Sequence, residues 1–410
     1  MVMAYRGTTL SRRAAFGVMA GGLLACGGAA GPRAGGTARW QPKANPDFDR
    51  WVAQFAATAQ AQGLPKALVT RSLSQAQFIP DVITRDRNQT EVQRSLEDYL
   101  AIAASEARVA QGRAALARES GALRAIQARY GVPPAVLAAV WGLESFYGTR
   151  MGDVPVISAL ATLAYDGRRG AFFQSQLIAA LRILAAGDIA QSRMLGSWAG
   201  AMGHTQFMPT SVLAYAVDVT GDGRRDIWGG DPSDALASTA AYLAKSGWQS
   251  GQPWGEEVAA PADVAAGTRD SAAWAGLGVT GMGGAALRGR GRAQLLRPAG
   301  VAGPALLLYS NTRVIMRYNN ALSYAIGVGH LSDRLAGAGP LRRAFPADSY
   351  GMTITQRMEL QRLLQAQGYD LGTPDGVIGT GTQRAIAAYQ AAQGLPATGL
   401  PSLDLLARLR

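Results

Sequence analysis

The 410-residue sequence contains a single cysteine, Cys26, so no disulfide can form within one molecule. Hydrophobic residues make up 48% and charged residues 17% of the chain, which is typical of a globular protein and excludes a disordered one. A chain of this length is long enough for two or three domains with a sizeable hydrophobic core. The fold therefore depends on packing and not on cross-links.

Long apolar runs and long basic runs are both missing from the sequence. No stretch reaches the roughly 18–20 apolar residues that a membrane-spanning helix needs. The net charge of +12 is spread along the chain, and no zinc-finger, RNA-recognition or basic-zipper pattern accompanies it. The charge favours diffuse attraction to an acidic cell wall or membrane surface, and we expect no nucleic-acid partner.

The first 25 residues have the order of a secretory signal peptide. Three arginines precede an uncharged apolar segment that ends in Leu-Leu-Ala-Cys. This ending resembles a bacterial lipobox, in which Cys26 becomes the lipidated N-terminus; ordinary cleavage beside an incidental cysteine is the alternative. We predict an exported, periplasmic protein that is an outer-membrane lipoprotein with a membrane anchor, and residues 26–45, rich in Gly, Ala and Pro, as a flexible tether.

The rest of the sequence is predicted to be mainly α-helical. Helical periodicity runs from residue 46 to about residue 247 and includes one long segment, 94–130. A Gly/Ala/Pro-rich region follows, and two apolar runs, 305–309 and 314–318, predict strands on either side of a turn. We therefore expect helices with a small β-containing region.

The stretch 138–148, AAVWGLESFYG, contains one charged residue, Glu144. In a helix, the residues three, four and seven positions before Glu144 share its face, and all three are apolar. A carboxyl group there loses its hydration, which raises its pKa and prepares it to act as a general acid. Gly142 and Gly148 are expected to leave space for a ligand. A glutamate at a frayed helix end, pointing to solvent, is the alternative.

A second stretch, 218–223, has the sequence DVTGDG and alternates oxygen donors. Asp218, Thr220 and Asp222 occupy the first, third and fifth positions of an EF-hand loop, and glycine occupies the sixth. Glycine also stands at the twelfth position, where a glutamate is usual. An Asp/Gly turn held by side-chain hydrogen bonds is the alternative to a Ca²⁺ site. Any bound Ca²⁺ is expected to be structural, and no cofactor is required.

Four motifs occur in order along the chain: WGLES, GSWAGAMGHTQFMPT, DVTGDGRRDIW and RYNN. Together they resemble the membrane-bound lytic murein transglycosylases of the B type over about residues 46–335. The resemblance implies a lysozyme-like helical catalytic core. It also implies cleavage of peptidoglycan glycan strands between N-acetylmuramic acid and N-acetylglucosamine, without water, to give 1,6-anhydro-muramyl ends. The catalytic acid/base of the family falls on Glu144.

The same resemblance assigns further residues to a substrate groove and a metal loop. Arg168 and Arg169 match an arginine pair suited to lactyl or stem-peptide carboxylates. Asp234 matches a later aspartate that closes an enlarged calcium loop. The other groove positions are polar or aromatic: Ser197, Gln206, Phe207, Tyr242, Tyr318, Asn319 and Tyr324. For each tyrosine, a place in the hydrophobic core is the alternative.

The last sixty residues resemble a small peptidoglycan-binding module of three helices, for which a generic helical domain is the alternative. The predicted organisation is a signal peptide at 1–25, a tether at 26–45, a catalytic domain at 46–338, a linker at 339–350 and a peptidoglycan-binding domain at 351–410.

Two other functions stay open at this point. A peptidoglycan hydrolase (muramidase) would activate water with a second carboxylate, and Asp153 and Asp166 are the nearest downstream acids. A non-catalytic cell-wall-binding protein would keep the fold without the chemistry. Retention of Glu144 within its full motif argues against that second alternative.

Overall fold

The computed structural model describes residues 40–88 and 94–410, and within them helices dominate. The predicted signal peptide and Cys26 lie outside the described residues. No helix among the described residues is long and apolar enough to cross a membrane.

The helices and strands follow one another in an order that separates a helical part, a small sheet and a second helical part. The first eleven helices are α1 (Pro46–Ala61), α2 (Lys66–Leu73), α3 (Pro80–Arg87), α4 (Leu96–Ala103), α5 (Glu106–Arg118), α6 (Ser120–Tyr130), α7 (Pro134–Ser145), α8 (Val156–Asp166), α9 (Gly170–Ala186), α10 (Pro209–Tyr215) and α11 (Ser233–Lys245). The later helices are α12 (Ser271–Gly276), α13 (Ser310–Tyr318), α14 (Leu322–Leu335), α15 (Ile354–Ala366), α16 (Thr380–Ala392) and α17 (Leu403–Leu409). The strands are β1 (Val154–Pro155), β2 (Leu195–Gly196), β3 (Gly255–Ala259), β4 (Gly267–Asp270), β5 (Thr280–Gly281), β6 (Arg292–Leu296) and β7 (Ala305–Leu308).

Two hydrophobic clusters form the larger helical body. One contains residues of α1, α2, α3, α8 and α9, and the other contains residues of α5, α6, α7, α11 and α14. Helix α7 begins at two prolines, Pro133 and Pro134, whose fixed backbone angle suits a first helical turn. Its residues from Val136 to Gly142 are all buried, so α7 lies in the interior and not on a surface.

The segment 94–130 is helical as predicted, and it is divided into α4, α5 and α6. Serines begin the first two of these helices. The Ser95 hydroxyl accepts the N–H of Asp98 at 3.1 Å, and the Ser105 hydroxyl accepts the N–H of Arg108 at 3.4 Å. Such caps satisfy N–H groups that have no partner inside the helix and so favour a new start over continuation.

The sheet that follows α11 is antiparallel, with strand order β4-β6-β7-β3-β5. The strand expected at 305–309 is present as β7, but the strand expected at 314–318 is wrong, because those residues belong to α13. Asn311, Val314 and Ile315 are all buried at helical spacing. The Asn311 amide also donates to the carbonyls of Gln249 and Gln252. These tertiary contacts outweigh the β propensity of a short apolar run.

The last three helices pack around a hydrophobic cluster of their own, which includes Leu360, Ile386 and Leu406. Helix α15 begins with a capping box, in which Thr353 and Gln356 satisfy each other's backbone N–H groups.

Arg357 on α15 forms a buried ion cluster with two acids of α4 and with Asp348, which precedes α15. Its Nη2 lies 2.6 Å from Glu97 Oε2, and its Nη1 lies 2.8 Å from Asp98 Oδ1 and 3.3 Å from Asp348 Oδ2. The Arg357 side chain is only 3% exposed. Burial raises the pKa of Glu97, and the charges of Asp98 and Asp348 act in the same direction, whereas Arg357 opposes them. The arginine is therefore the charge that keeps three neighbouring carboxylates together.

We expect Arg357→Ala to lower the free energy of unfolding by about 3–5 kcal/mol, because removing one partner of a buried ion pair leaves the other charges uncompensated. Urea titration of the full chain measures this. Arg362→Ala on the exposed face of the same helix is the matched control and should change stability by less than about 0.5 kcal/mol. Equal stability of the two variants would show that the cluster does not hold α15 against α4.

Candidate active site

Glu144 lies in the last turn of α7 and is 8% exposed. The helix ends in an uncommon way, because Phe146 and Tyr147 both have left-handed backbone angles, with φ of 52° and 58°. The Ser145 hydroxyl holds this turn: it accepts the N–H of Gly148 at 2.9 Å and donates to the carbonyl of His204 at 2.5 Å. The glutamate does not point to solvent from a frayed end.

The Glu144 carboxyl group accepts a hydrogen bond from the Tyr324 hydroxyl of α14, with 2.7 Å between the two oxygens. Burial raises the pKa of Glu144 to about 7, while the bond from Tyr324 acts to lower it. Burial dominates because the neutral carboxyl group needs less hydration than the carboxylate. At neutral pH a large fraction of Glu144 therefore carries a proton that it can donate.

Gly142 does not leave space for a ligand, so that expectation is wrong for this glycine, whereas Gly148 lines a cavity beside Glu144. A Cβ atom at Gly142 would lie 2.6 Å from the Tyr147 ring, and one at Gly148 would lie 2.6 Å from His204 Nδ1. The glycines are needed because protein side chains fill this space. They allow Tyr147 and His204 to pack directly against the backbone that carries Glu144.

A cavity of about 430 Å³ opens beside Glu144. Ser197, a predicted groove residue, lines it together with Asp153, one of the acids considered for a hydrolase. The Asp153 carboxylate accepts the indole N–H of Trp40 at 2.7 Å. Asp166, the other acid, forms an ion pair with Arg87 at 2.5 Å and is not among the residues that line this cavity.

An aromatic cluster brings three more predicted residues together. The Phe207 ring centroid lies 5.7 Å from that of Tyr318 and 6.0 Å from that of Tyr242. The Tyr318 hydroxyl donates to the carbonyl of Thr205 at 2.5 Å. Burial raises the pKa of Tyr318, and the charge of Glu144 raises it further, so this ring lies within electrostatic reach of the carboxyl group.

Gln206 and Asn319 are both buried near the ends of this cluster. Gln206 has a left-handed φ of 53°, and its amide donates to the carbonyls of Met151 and Gly203, each at 2.9 Å. It therefore ties the 200–210 loop to the chain that follows α7. Asn319 ends α13 and is 8% exposed.

The arginine pair lies elsewhere and is already engaged. Arg168 Nε lies 2.6 Å from Asp86 Oδ2, and Arg169 contacts the other oxygen of the same carboxylate. Burial acts to raise the pKa of Asp86, but hydrogen bonds from both arginines outweigh it and lower that pKa. Neither arginine is among the residues that line the Glu144 cavity. The pair instead fixes α3 to the turn between α8 and α9.

Sequence reasoning missed His204 as a positioning residue. Its Nδ1 accepts the indole N–H of Trp141 at 3.2 Å, and its Nε2 lies 2.7 Å from the carbonyl of Gly229. This arrangement requires a neutral ring with the proton on Nε2, and burial lowers the pKa of His204 accordingly. The signal was present, because this histidine sits within the GAMGHTQFMPT motif, but nothing in the motif showed that it faces α7.

Of the four residues predicted to hold a metal, Asp218, Thr220 and Asp222 lie in the loop before α11, and Asp234 lies in the first turn of that helix. The three carboxylates accept backbone N–H groups, and the Thr220 hydroxyl donates to Asp218 at 3.2 Å. The Asp218 carboxylate accepts the N–H groups of Gly221 and Gly223, and Asp222 accepts that of Arg224. Asp234 is buried and accepts three N–H groups, those of Val219, Thr220 and Asp226. Across the described part of the chain, no three Asp, Glu, His or Cys residues form a metal-ligating group. The oxygen-only donor set suits Ca²⁺ chemically, and a carboxylate that accepts N–H groups keeps lone pairs that can bind a cation.

Comparison with known proteins identifies the family. A family profile described as "Transglycosylase SLT domain" matches residues 47–333, which is more than half of the chain. The chain belongs to this transglycosylase family. A second profile, "Putative peptidoglycan binding domain", matches residues 354–409. The family resemblance of the four motifs is confirmed, and so is the mainly α fold with a lysozyme-like core, a small β-containing region and three C-terminal helices.

The chain is also similar to individual proteins of this kind. The chain is 46% identical to SltB3 from Pseudomonas aeruginosa, solved in complex with NAG-NAM-pentapeptide, with a TM-score of 0.71 over 89% of this chain and 100% of that one. It is 29% identical to Slt35 from Escherichia coli, solved in complex with calcium, with a TM-score of 0.61 over 71% of this chain and 93% of that one. Membrane-bound lytic murein transglycosylase B of Escherichia coli (strain K12) is 41% identical over 123 residues. That match covers 30% of this chain and only 34% of the curated relative.

We expect Glu144→Gln to reduce turnover by at least about 10²–10⁴-fold, because the amide keeps the shape of the side chain but has no proton to transfer. Cleavage of purified peptidoglycan measures this, and Asp153→Asn is the matched control, which should retain turnover. If the Asp153 variant lost activity and the Glu144 variant kept it, Asp153 and not Glu144 would be the catalytic acid.

The same Glu144 variant should be more stable than the wild type at neutral pH. The pKa of Glu144 is about 7 in the folded chain against an ordinary value of 4.5. The unfolded chain thus releases this proton first, and the wild type loses about 3 kcal/mol of stability as the pH rises from 4.5 to 7. The glutamine side chain of the variant does not titrate and has no such loss, so the difference in free energy of unfolding should grow over that window. A constant difference would mean that Glu144 is not desolvated.

Proposed function

We propose that this chain is a lytic transglycosylase that cleaves the bond between N-acetylmuramic acid and N-acetylglucosamine in peptidoglycan and leaves 1,6-anhydro-muramyl ends. One observation carries the proposal: a buried carboxyl group with a pKa near 7 lies beside an open cavity and accepts a hydrogen bond from a tyrosine of α14. The family to which the chain belongs supports the same chemistry.

The proposed reaction uses Glu144 twice. Protonated Glu144 first donates its proton to the glycosidic oxygen, and the bond to the muramyl anomeric carbon breaks. The resulting carboxylate then takes the proton of the muramyl 6-hydroxyl as that oxygen attacks the same carbon. Each step leaves Glu144 in the state that the next step needs, because a pKa close to the working pH suits both an acid and a base. The aromatic cluster and the Ser197 side of the cavity are proposed to position the sugars.

A peptidoglycan hydrolase is the second candidate, since Asp153 lines the same cavity as Glu144. A hydrolase needs a second carboxylate that is free to activate water. The Asp153 carboxylate instead accepts the Trp40 indole N–H, an engagement that disfavours this role. Intramolecular attack by the 6-hydroxyl also has an effective molarity on the order of 10⁵ M or more when it is well oriented.

Residues 46–338 are proposed to form the catalytic domain, and residues 351–410 the wall-binding domain, joined by the segment 339–350. The profile match at 354–409 and the separate hydrophobic cluster of the last three helices support the second assignment. We further propose export to the periplasm, removal of residues 1–25 and lipidation of Cys26, which rest on the sequence alone. Mass spectrometry of the mature N-terminus decides between a lipidated cysteine and ordinary cleavage.

Calcium has no role in the proposed chemistry. The calcium complex is a property of the Escherichia coli relative, and here the carboxylates of Asp218 in the loop and Asp234 in α11 accept backbone N–H groups. A structural Ca²⁺ would stabilise the folded chain in proportion to its concentration. Thermal melts with Ca²⁺ and with a chelator therefore test the loop separately from activity.

We expect the fragments released from purified peptidoglycan to carry 1,6-anhydro-muramyl ends, which weigh about 18 mass units less than reducing ends because no water is added across the broken bond. Mass spectrometry of a digest in ¹⁸O-labelled water makes the distinction. Reducing muramic acid ends that have taken up the label would show a hydrolase, and intact peptidoglycan would show a non-catalytic wall-binding protein.

A further inference from the structure

Three arginines outside the predicted pair line the cavity beside Glu144: Arg85, Arg108 and Arg150. They differ from Arg168 and Arg169, which both form ion pairs with Asp86. Within residues 40–88 and 94–410, no carboxylate forms an ion pair with any of the three. The lining of the cavity thus contains three arginines and two carboxyl groups, those of Glu144 and Asp153.

Arg108 forms the buried member of this group. It is 6% exposed, its Nε donates to the carbonyl of Gly142 at 3.1 Å, and its Nη1 contacts the carbonyl of Ile102. Its Nη2 has no hydrogen-bond partner among the described residues. Burial lowers the pKa of Arg108, and the charge of Arg150 acts in the same direction, so two like charges lie close together. An anion in the cavity would relieve that repulsion.

Aromatic rings hold the guanidinium groups in place. The Arg108 and Arg150 guanidinium carbons lie 5.1 Å and 4.7 Å from the centroid of the Phe146 ring. The Arg85 guanidinium carbon lies 5.1 Å from the centroid of the Trp40 ring. Stacking of this kind fixes a planar guanidinium before a ligand arrives, so less side-chain entropy is lost on binding. Arg85 and Arg150 are exposed, and their hydrogen-bond donors are accessible to a substrate.

We propose that Arg85, Arg108 and Arg150 form a subsite for a carboxylate carried by the muramyl sugar, either on its free lactyl group or on its stem peptide. This inference rests on the proposed function, since it takes the cleaved glycan as the ligand. Guanidinium groups recognise carboxylates through paired, charge-assisted hydrogen bonds. The muramyl substituent is the part of the glycan that carries such groups. The subsite therefore selects glycans by the charge on that substituent.

The test compares the double variant Arg85→Gln/Arg150→Gln with the double variant Arg124→Gln/Arg129→Gln. The control arginines are exposed on α6 and are not among the residues that line the cavity, so both proteins lose the same charge. Arg108 stays unchanged because it is buried. Three glycan substrates are used: one with intact stem peptides, the same material with its carboxylates amidated, and a peptide-free glycan with free lactyl carboxylates.

We expect the cavity variant to raise KM by about three- to ten-fold on a carboxylate-bearing glycan, with kcat unchanged, because the subsite binds ground state and transition state alike. On the amidated glycan its KM should equal that of the wild type. If KM rises only on the peptide-bearing glycan, the subsite binds a carboxylate of the stem peptide. If KM rises only on the peptide-free glycan, the subsite binds the lactyl carboxylate. An equal rise on all three substrates, or the same rise in the control variant, would overturn the proposal.

Binding in a Glu144→Gln background separates this proposal from the proposed function. Dissociation constants for the same three glycans, with and without the Arg85 and Arg150 substitutions, need no turnover. A loss of affinity confined to carboxylate-bearing glycans supports the subsite even if the wild type releases no anhydro ends. Unchanged affinity overturns the subsite even if those ends are found.

Discussion

The structure depends on the burial of one carboxyl group at the end of an apolar helix. Glu144 cannot be hydrated as it would be in water, so its proton is retained to a pH of about 7. Such a group costs stability, and the surrounding elements must hold it against solvent. Helix α7 is buried on every side, α14 supplies the Tyr324 hydroxyl, and the 200–210 loop fixes the turn that follows the glutamate. The chemistry follows from this arrangement because a carboxyl group poised near neutrality can both give and take a proton.

The turn after Glu144 explains why distant motifs have to meet. Two consecutive residues with left-handed backbone angles, Phe146 and Tyr147, are unfavourable unless other contacts hold them. The Tyr147 hydroxyl donates to the carbonyl of Arg108, and Ser145 binds the carbonyl of His204. The neutral ring of His204 then joins Trp141 to the loop that contains Gly229. Helix α5, helix α7 and two loops are thus fixed by the same few hydrogen bonds.

The desolvation of Glu144 and the helical fold could be predicted from the sequence, because each depends on the pattern of residues within one segment. The apolar face around Glu144 indicated desolvation, and the motifs indicated the family and its helical fold. What could not be predicted depends on contacts between distant segments. The residues 314–318 form a helix because Asn311 and its neighbours face the chain around Gln249. Gly142 and Gly148 admit Tyr147 and His204, and Arg168 and Arg169 meet a carboxylate on α3, none of which is visible in any one segment.

The central claim is that burial places the titration of Glu144 near neutrality, and the most direct measurement is the ionisation of that carboxyl group itself. Carbon-13 NMR of glutamate-labelled protein, with the Glu144→Gln spectrum subtracted, isolates its signal. We predict a midpoint near pH 7. In Tyr324→Phe the midpoint should be higher, because the lost hydrogen bond had favoured the ionised form. A wild-type midpoint near the ordinary value of 4.5 would contradict the claim.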